Sequence, residues 1–202
     1  MPMKCLYCDE DYYRNSSLRH SLFSKDLLCE KCRNKLKINH RYLQLDKYEV
    51  ECFYEYDEEF RSLIVQYKEC FDEALKDVFI SPFKHYLNIR YHGYTVVWVP
   101  SSKRKVEARG FDHMEKILEQ LSLKKCNALY QIEDMSQKNK NYQERAKMQN
   151  NIKAKTINAK KVLLVDDVIT SGASMLSAAK ALEESVTVMK LLSLSCTKEW
   201  NV

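Results

Sequence analysis

Residues 162–174 read VLLVDDVITSGAS, and this stretch decides the fold. Val162, Leu163, Leu164 and Val165 form a short apolar run with no polar alternation, the pattern of a strand buried on both faces. Asp166 and Asp167 end it, and Thr170, Ser171, Gly172, Ala173 and Ser174 lead into a helix with Met175, Ala178, Ala179 and Leu182 on its apolar side. In a parallel sheet, ligands bind beyond the carboxyl ends of the strands, which is where these acids and hydroxyls fall. The loop's amides and hydroxyls can surround a phosphate, and the following helix N-terminus adds its dipole. The two carboxylates can accept hydrogen bonds from vicinal sugar hydroxyls, directly or through a hard cation such as Mg²⁺. A strand ending in a capped polar turn explains Ser171 or Ser174 alone, but not two adjacent acids as well.

Working outward, YTVVWV at 94–99 is a second buried strand, closed by Pro100 and followed by the basic stretch SSKRKVEARG, which reads as a loop. Asp112 opens a helix carrying Met114, Ile117, Leu118 and Leu121. Upstream, residues 48–56 alternate as a strand, with Tyr48, Val50, Cys52, Tyr54 and Tyr56 on one side. Phe60, Leu63, Ile64, Tyr67 and Phe71 then recur at helical spacing behind Asp57, Glu58 and Glu59, and a second helix runs through Phe83, Tyr86 and Leu87. Residues 127–132 and 186–194 read as further strands, and the polar, basic stretch 135–161 as a mobile loop. Strands alternating with helices predict an α/β fold built on a parallel sheet.

The chain has 202 residues, 45% hydrophobic and 30% charged, with 3 Gly and 3 Pro; this excludes wholesale disorder and fibrous architecture. No apolar run approaches the roughly 20 residues that span a bilayer, and the start of the chain lacks the apolar core of a secretory signal, so the expected compartment is the cytoplasm. The net charge of +5 is unevenly spread: residues 101–161 carry +8 and residues 42–79 carry −7. A basic segment of that size attracts polyanions, although a solvated lysine-rich surface has the same composition.

Four of the 8 cysteines form two close pairs, Cys5 with Cys8 and Cys29 with Cys32. Two C-x₂-C knuckles supply four thiolates for a tetrahedral Zn²⁺, a closed and therefore structural site. Roughly 40 residues build too small a core to fold unaided, and the metal compensates. This predicts a zinc-binding module over residues 1–41 and a second domain over residues 42–202. His20 and His40 read as surface histidines.

The VLLVDDVITSGAS stretch resembles the phosphoribosyl-pyrophosphate (PRPP) signature of type I phosphoribosyltransferases. That likeness implies a Rossmann-like parallel sheet and a Mg²⁺–PRPP ligand. Asp166 and Asp167 would hold the ribose hydroxyls, and Thr170, Ser171, Gly172, Ala173 and Ser174 the 5-phosphate. The basic stretch after the 94–99 strand would hold pyrophosphate. Lys103, Arg104, Lys105 and Arg109 are available there, and Arg104 and Arg109 are favoured because guanidinium binds phosphate in a bidentate manner. The order of the whole chain then narrows the likeness: two cysteine pairs, a Tyr-rich strand, Val99-Pro100, Arg109-Gly110-Phe111, Gln137 with Arg145, and the double-acid signature. It resembles the ComF family, competence proteins with an N-terminal zinc module and a phosphoribosyltransferase-like domain. The chain departs from the family in having Asp112-His113 after Arg-Gly-Phe, where Asn-Gln is common.

The resemblance implies a protein that binds PRPP or a related phosphoribosyl ligand and acts in natural competence and DNA uptake. Catalysis stays open. An active phosphoribosyltransferase would act on an unidentified nitrogen acceptor, with Lys138, Lys140, Arg145 and Lys147 on a loop closing over the leaving group. A non-catalytic module would instead bind single-stranded DNA and a helicase-type partner, using the same basic segment and stacking bases on Tyr12, Tyr13, Tyr42, Tyr91 or Tyr142. A zinc-stabilised scaffold contacting only proteins is the third reading.

Overall fold

The computed structural model describes residues 3–12, 27–132 and 152–197. Its centre is a six-stranded sheet of β3 (Ile38–Leu45), β4 (Tyr48–Glu55), β5 (Thr95–Trp98), β6 (Lys124–Lys125), β9 (Lys161–Ile169) and β10 (Val188–Cys196). The strand order is β3-β4-β10-β9-β5-β6; β3 pairs antiparallel with β4, and every other neighbouring pair is parallel. Two small antiparallel pairs stand apart: β1 (Met3–Lys4) with β2 (Asp11–Tyr12), and β7 (Leu129–Gln131) with β8 (Ile152–Ala154). The α/β fold with a mostly parallel sheet is the one the strand–helix alternation predicts.

The apolar runs fold as central strands because both sheet faces are covered. Leu163 and Val165 of β9, with Val96 and Trp98 of β5, pack on one face. There they meet α2 (Glu58–Glu69), α3 (Lys76–Ile80), α4 (Lys84–Arg90) and α6 (His113–Leu118). Val162 and Leu164, with Val97 and Val99, pack on the other face against β7, β8 and α7 (Ala173–Glu183). Truncating Leu163 or Leu164 to Ala would open a cavity on its own face and cost about 2–5 kcal/mol.

Helix starts follow local chemistry. The Asp57 carboxylate accepts from the Phe60 amide at 3.0 Å, capping α2, whose buried residues are Phe60, Leu63, Ile64 and Tyr67. Asp112 caps α6 by accepting from the amides of Met114 and Glu115. In the short helix α1 (Glu30–Lys35), Cys29 is the cap residue, and its thiol accepts from the Cys32 amide.

Three features differ from the expectations. The basic stretch after β5 is helix α5 (Lys103–Arg109), not a loop: KRKVEAR is rich in helix formers, and Gly110 stops it in a left-handed conformation (φ 84°). The strand predicted to end at the double acid continues to Ile169, so both aspartates lie within β9. The stretch read as a loop over 135–161 contains β8 and the first residue of β9, while residues 133–151 lie outside the described residues. At the edge of the main sheet, β3 runs across position 41/42. Cys5, Leu28, Cys29, Cys32 and Leu36 share one core with Phe53, Tyr54 and Phe60.

Candidate phosphoribosyl site and four-cysteine centre

β5 and β9 are neighbours whose following connections leave in opposite directions. From β5 the chain runs through α5 and α6 to β6 on one side, and from β9 through α7 to β10 on the other. This reversal is a topological switch point, where open α/β sheets place their ligand crevice. A cavity of about 400 Å³ lies there. Residues just beyond β5 line it (Val99, Pro100, Ser101 and Ser102), with Lys105 and Arg109 of α5, His113 of α6, Lys68 and Glu69 of α2, Gln131 of β7, and Asp166, Asp167, Val168 and Ser174. A smaller depression of about 30 Å³ adjoins it, lined by Thr170, Ser171, Gly172, Ala173 and Ser174 with Asp166, Val168, Ile169 and Met175. The two share Asp166, Val168 and Ser174.

The structure therefore brings together Asp166, Asp167, the 170–174 loop and Arg109. Gly172 sits at the head of α7 with φ 72°, a backbone that side chains other than glycine's adopt only with strain. Arg104 is exposed on α5 and is not among the cavity residues; Lys105 lines the cavity in its place. The Arg109 side chain is buried, and its Nε donates to the Lys68 carbonyl at 2.8 Å. Its Nη1 is buried with no hydrogen-bond partner among the described residues. Lys138, Lys140, Arg145 and Lys147, with Gln137, Tyr13, Tyr142 and His20, lie outside the described residues.

The two aspartates are not equivalent. The Asp167 carboxylate is turned inward, and its Oδ2 is held by both Lys68 Nζ and His113 Nε2. Burial opposes its charge, but the Lys68 cation and then the His113 ring overcome that and hold the carboxyl far below the usual range. His113 Nδ1 lies 3.1 Å from the Ser101 hydroxyl. Its ring is positioned by the capped start of α6, where Asp112 also accepts from Trp98 Nε1 at 3.0 Å and Tyr67 donates to the His113 carbonyl at 2.8 Å. Asp166, on the opposite side of the strand, accepts the Asp167 amide at 2.9 Å. Burial, and then the charge of Asp167, push its carboxyl up to about 8, with Lys68 opposing. Lys68 was not singled out in the sequence, and His113 only as a departure from the family's common Asn-Gln, with no site role. Lys68 ends a helix as many lysines do, and His113 lies 54 positions from Asp167.

At the other centre, Cys5, Cys8, Cys29 and Cys32 bring their sulfurs within 4.8 Å of one another. A tetrahedron of Zn–S bonds of about 2.3 Å has edges of about 3.8 Å, and Cys8 Sγ lies 3.8 Å from Cys29 Sγ. The cluster thus has the donors and the size to hold Zn²⁺, and four thiolates leave no open position for catalysis. Two of the thiols are also oriented by backbone amides: Cys29 N donates to Cys5 Sγ at 3.3 Å and Cys32 N to Cys29 Sγ at 3.4 Å.

No protein-family model matches the chain. Among curated proteins it is similar to Competence protein ComFC of Streptococcus pneumoniae (strain ATCC BAA-255 / R6), 26% identical over 190 residues, which covers 90% of this chain and 81% of that protein. Among solved structures, a hypoxanthine phosphoribosyltransferase from Staphylococcus aureus aligns with a TM-score of 0.39 and 11% identity, over 63% of this chain and 66% of that one, just under two thirds of its length. Along nearly its whole length the chain is thus similar to a ComF-type competence protein, the family that its motif order resembles.

Proposed function

We propose that the protein binds PRPP, or a ligand with the same phosphorylated ribose, in the cavity between β5 and β9. Its setting would be natural competence, the process in its relative's name, and its compartment the cytoplasm; among the described residues no helix is long and apolar enough to cross a membrane. The observation that carries the reading is Arg109. A buried guanidinium nitrogen without a partner costs stability unless something answers it, and Arg109 lines a cavity that is joined to the 170–174 loop through Asp166, Val168 and Ser174. An anion with two phosphorylated ends joined by a sugar matches that layout.

In this arrangement the 5-phosphate sits at the loop and the head of α7, the ribose hydroxyls face Asp166, and the pyrophosphate meets Arg109 and Lys105. Mg²⁺ is the ion the resemblance implies, and the hard oxygen donors it would use are those of the ligand's own phosphates. If transfer to a nitrogen acceptor occurs, negative charge develops on the departing pyrophosphate, and fixed cations offset it where it forms.

A thermal-shift titration of the zinc-loaded chain tests the reading. PRPP at about 100 times its Kd should stabilise by about 2.7 kcal/mol, raising Tm by about 5–10 °C for a chain of this size. Inorganic phosphate at equal concentration should do much less. No shift with PRPP refutes the reading. Salt-dependent binding of single-stranded DNA that survives Asp166→Asn, without any PRPP effect, would favour the DNA-binding module instead.

A further inference from the structure

We propose that Lys68 is a cation built into the phosphoribosyl site, standing at Asp167 where an acid pair would otherwise recruit a divalent metal ion, so that PRPP is held without Mg²⁺. The proposal rests on the phosphoribosyl reading of the cavity and names how that site neutralises its ligand.

Mg²⁺ demands near-octahedral oxygen coordination at about 2.1 Å and gives up its waters reluctantly. The acid pair does not offer it that space. Asp167 Oδ2 already carries the Lys68 ammonium and the His113 ring, and the Asp167 carboxylate is 9% exposed. Asp166 Oδ1 is committed to the Asp167 amide. Two groups of positive or hydrogen-donating character crowd the Asp167 oxygen a metal would approach, so the two acids do not act as a paired ligand for the ion.

What stands there can do part of the metal's work. An ammonium is a compact point charge with three donors, so one bond to Asp167 leaves two for ligand oxygens. Lys68 is not sealed off: its side chain is 21% exposed and lines the cavity. Its backbone matters too, because its carbonyl accepts from Arg109 Nε and spaces the second cation from the first. Lys105 lines the same cavity. Three cations therefore face the place where a pyrophosphate would lie, and the strongest carboxylate among them is already neutralised.

Isothermal titration of the zinc-loaded chain with PRPP tests this, with and without added Mg²⁺. Residual divalent ions are removed from the buffer with a chelating resin, since a soluble chelator would strip the cysteine site. The wild-type Kd should agree within about threefold between the two conditions. Lys68→Met should lose about tenfold or more without Mg²⁺, the size of one lost hydrogen bond to a charged group, and should regain affinity when Mg²⁺ is added. Lys68→Arg should stay metal-independent. A wild type that binds PRPP only with Mg²⁺ overturns the role of Lys68 and leaves the phosphoribosyl reading standing, as does Lys68→Met binding like wild type in the metal-free buffer. No PRPP binding in either buffer overturns both. The wild-type comparison decides the matter even if Lys68→Met does not fold.

Discussion

Adjacent, chemically identical aspartates should respond in opposite directions to the same substitution. Asp167→Asn removes the charge that holds Lys68 and His113. An uncompensated buried charge costs about 3–5 kcal/mol, but Lys68 retains some exposure and can turn toward water, so a loss of about 2–3 kcal/mol is expected, or a Tm lower by about 4–12 °C. Asp166→Asn removes a carboxylate that burial and Asp167 disfavour. Its carboxyl is pushed up to about 8 in the fold, against about 3.9 in an unfolded chain. A raised carboxyl binds a proton in the native state that the unfolded state releases, so its contribution to stability is complete below about pH 4 and is lost as pH rises toward 8. Asn cannot be charged and escapes that loss. Because Asp166 borders an open cavity, water screens much of the effect, and a gain of about 1–2 kcal/mol near pH 8 is expected, shrinking toward about pH 5. The depressed Asp167 has the reverse dependence: its contribution is present above about pH 4 and lost only in stronger acid, so the Asp167→Asn deficit should persist between about pH 5 and 8. Urea unfolding of the zinc-loaded proteins at both pH values reads all of this, provided the m-values agree. If Asp166→Asn destabilises as much as Asp167→Asn, or if its effect does not change with pH, the inequivalence of the pair is wrong.

Three further outcomes are expected. The chain as isolated should hold one zinc by metal analysis, and Cys32→Ser should lower the stability of the whole protein in one transition, because Cys5, Cys29 and Cys32 share a core with Phe53, Tyr54 and Phe60; a separate low-temperature transition would show that the module folds alone. Arg109→Met should weaken PRPP binding by about tenfold or more, while exposed Arg104→Met should change it by less than about twofold in the same titration; equal effects would count against the cavity as the pyrophosphate site. Glu51, buried in β4, accepts from Tyr86 Oη at 2.6 Å and also meets Tyr91, Tyr42, His40 and Arg90. Glu51→Gln should cost about 1–3 kcal/mol in urea unfolding without altering PRPP affinity, since none of these groups lines the cavity.

Much of this protein was legible from local chemistry. The VLLV and TVVW runs could only be strands covered on both sides, Asp57 and Asp112 announced helix starts, and C-x₂-C twice over named a four-thiolate centre. Each of these signals lies within a few residues, where spacing and backbone geometry act directly. The hydroxyl–glycine loop beside Asp166 was legible for the same reason. The helical state of Lys103–Arg109 was less so, because a run of basic residues reads equally as an exposed turn until Gly110 is seen to close it.

Other features depended on the chain's return to itself. Lys68, His113 and Asp167 come from three separate elements and meet only because α2 and α6 pack on the same face of the sheet beside β9. Side-chain pairs this distant leave no periodicity to read. The same holds for β3, of which the local pattern assigned only residues 38–41 to the cysteine module and which pairs as an edge strand next to β4. Local sequence determined which segments are strands, which start helices and which atoms can ligate a metal. Packing decided which aspartate is ion-paired with Lys68 and which is not, because burial and the distance to Lys68 and His113, not residue type, set the charge each one carries.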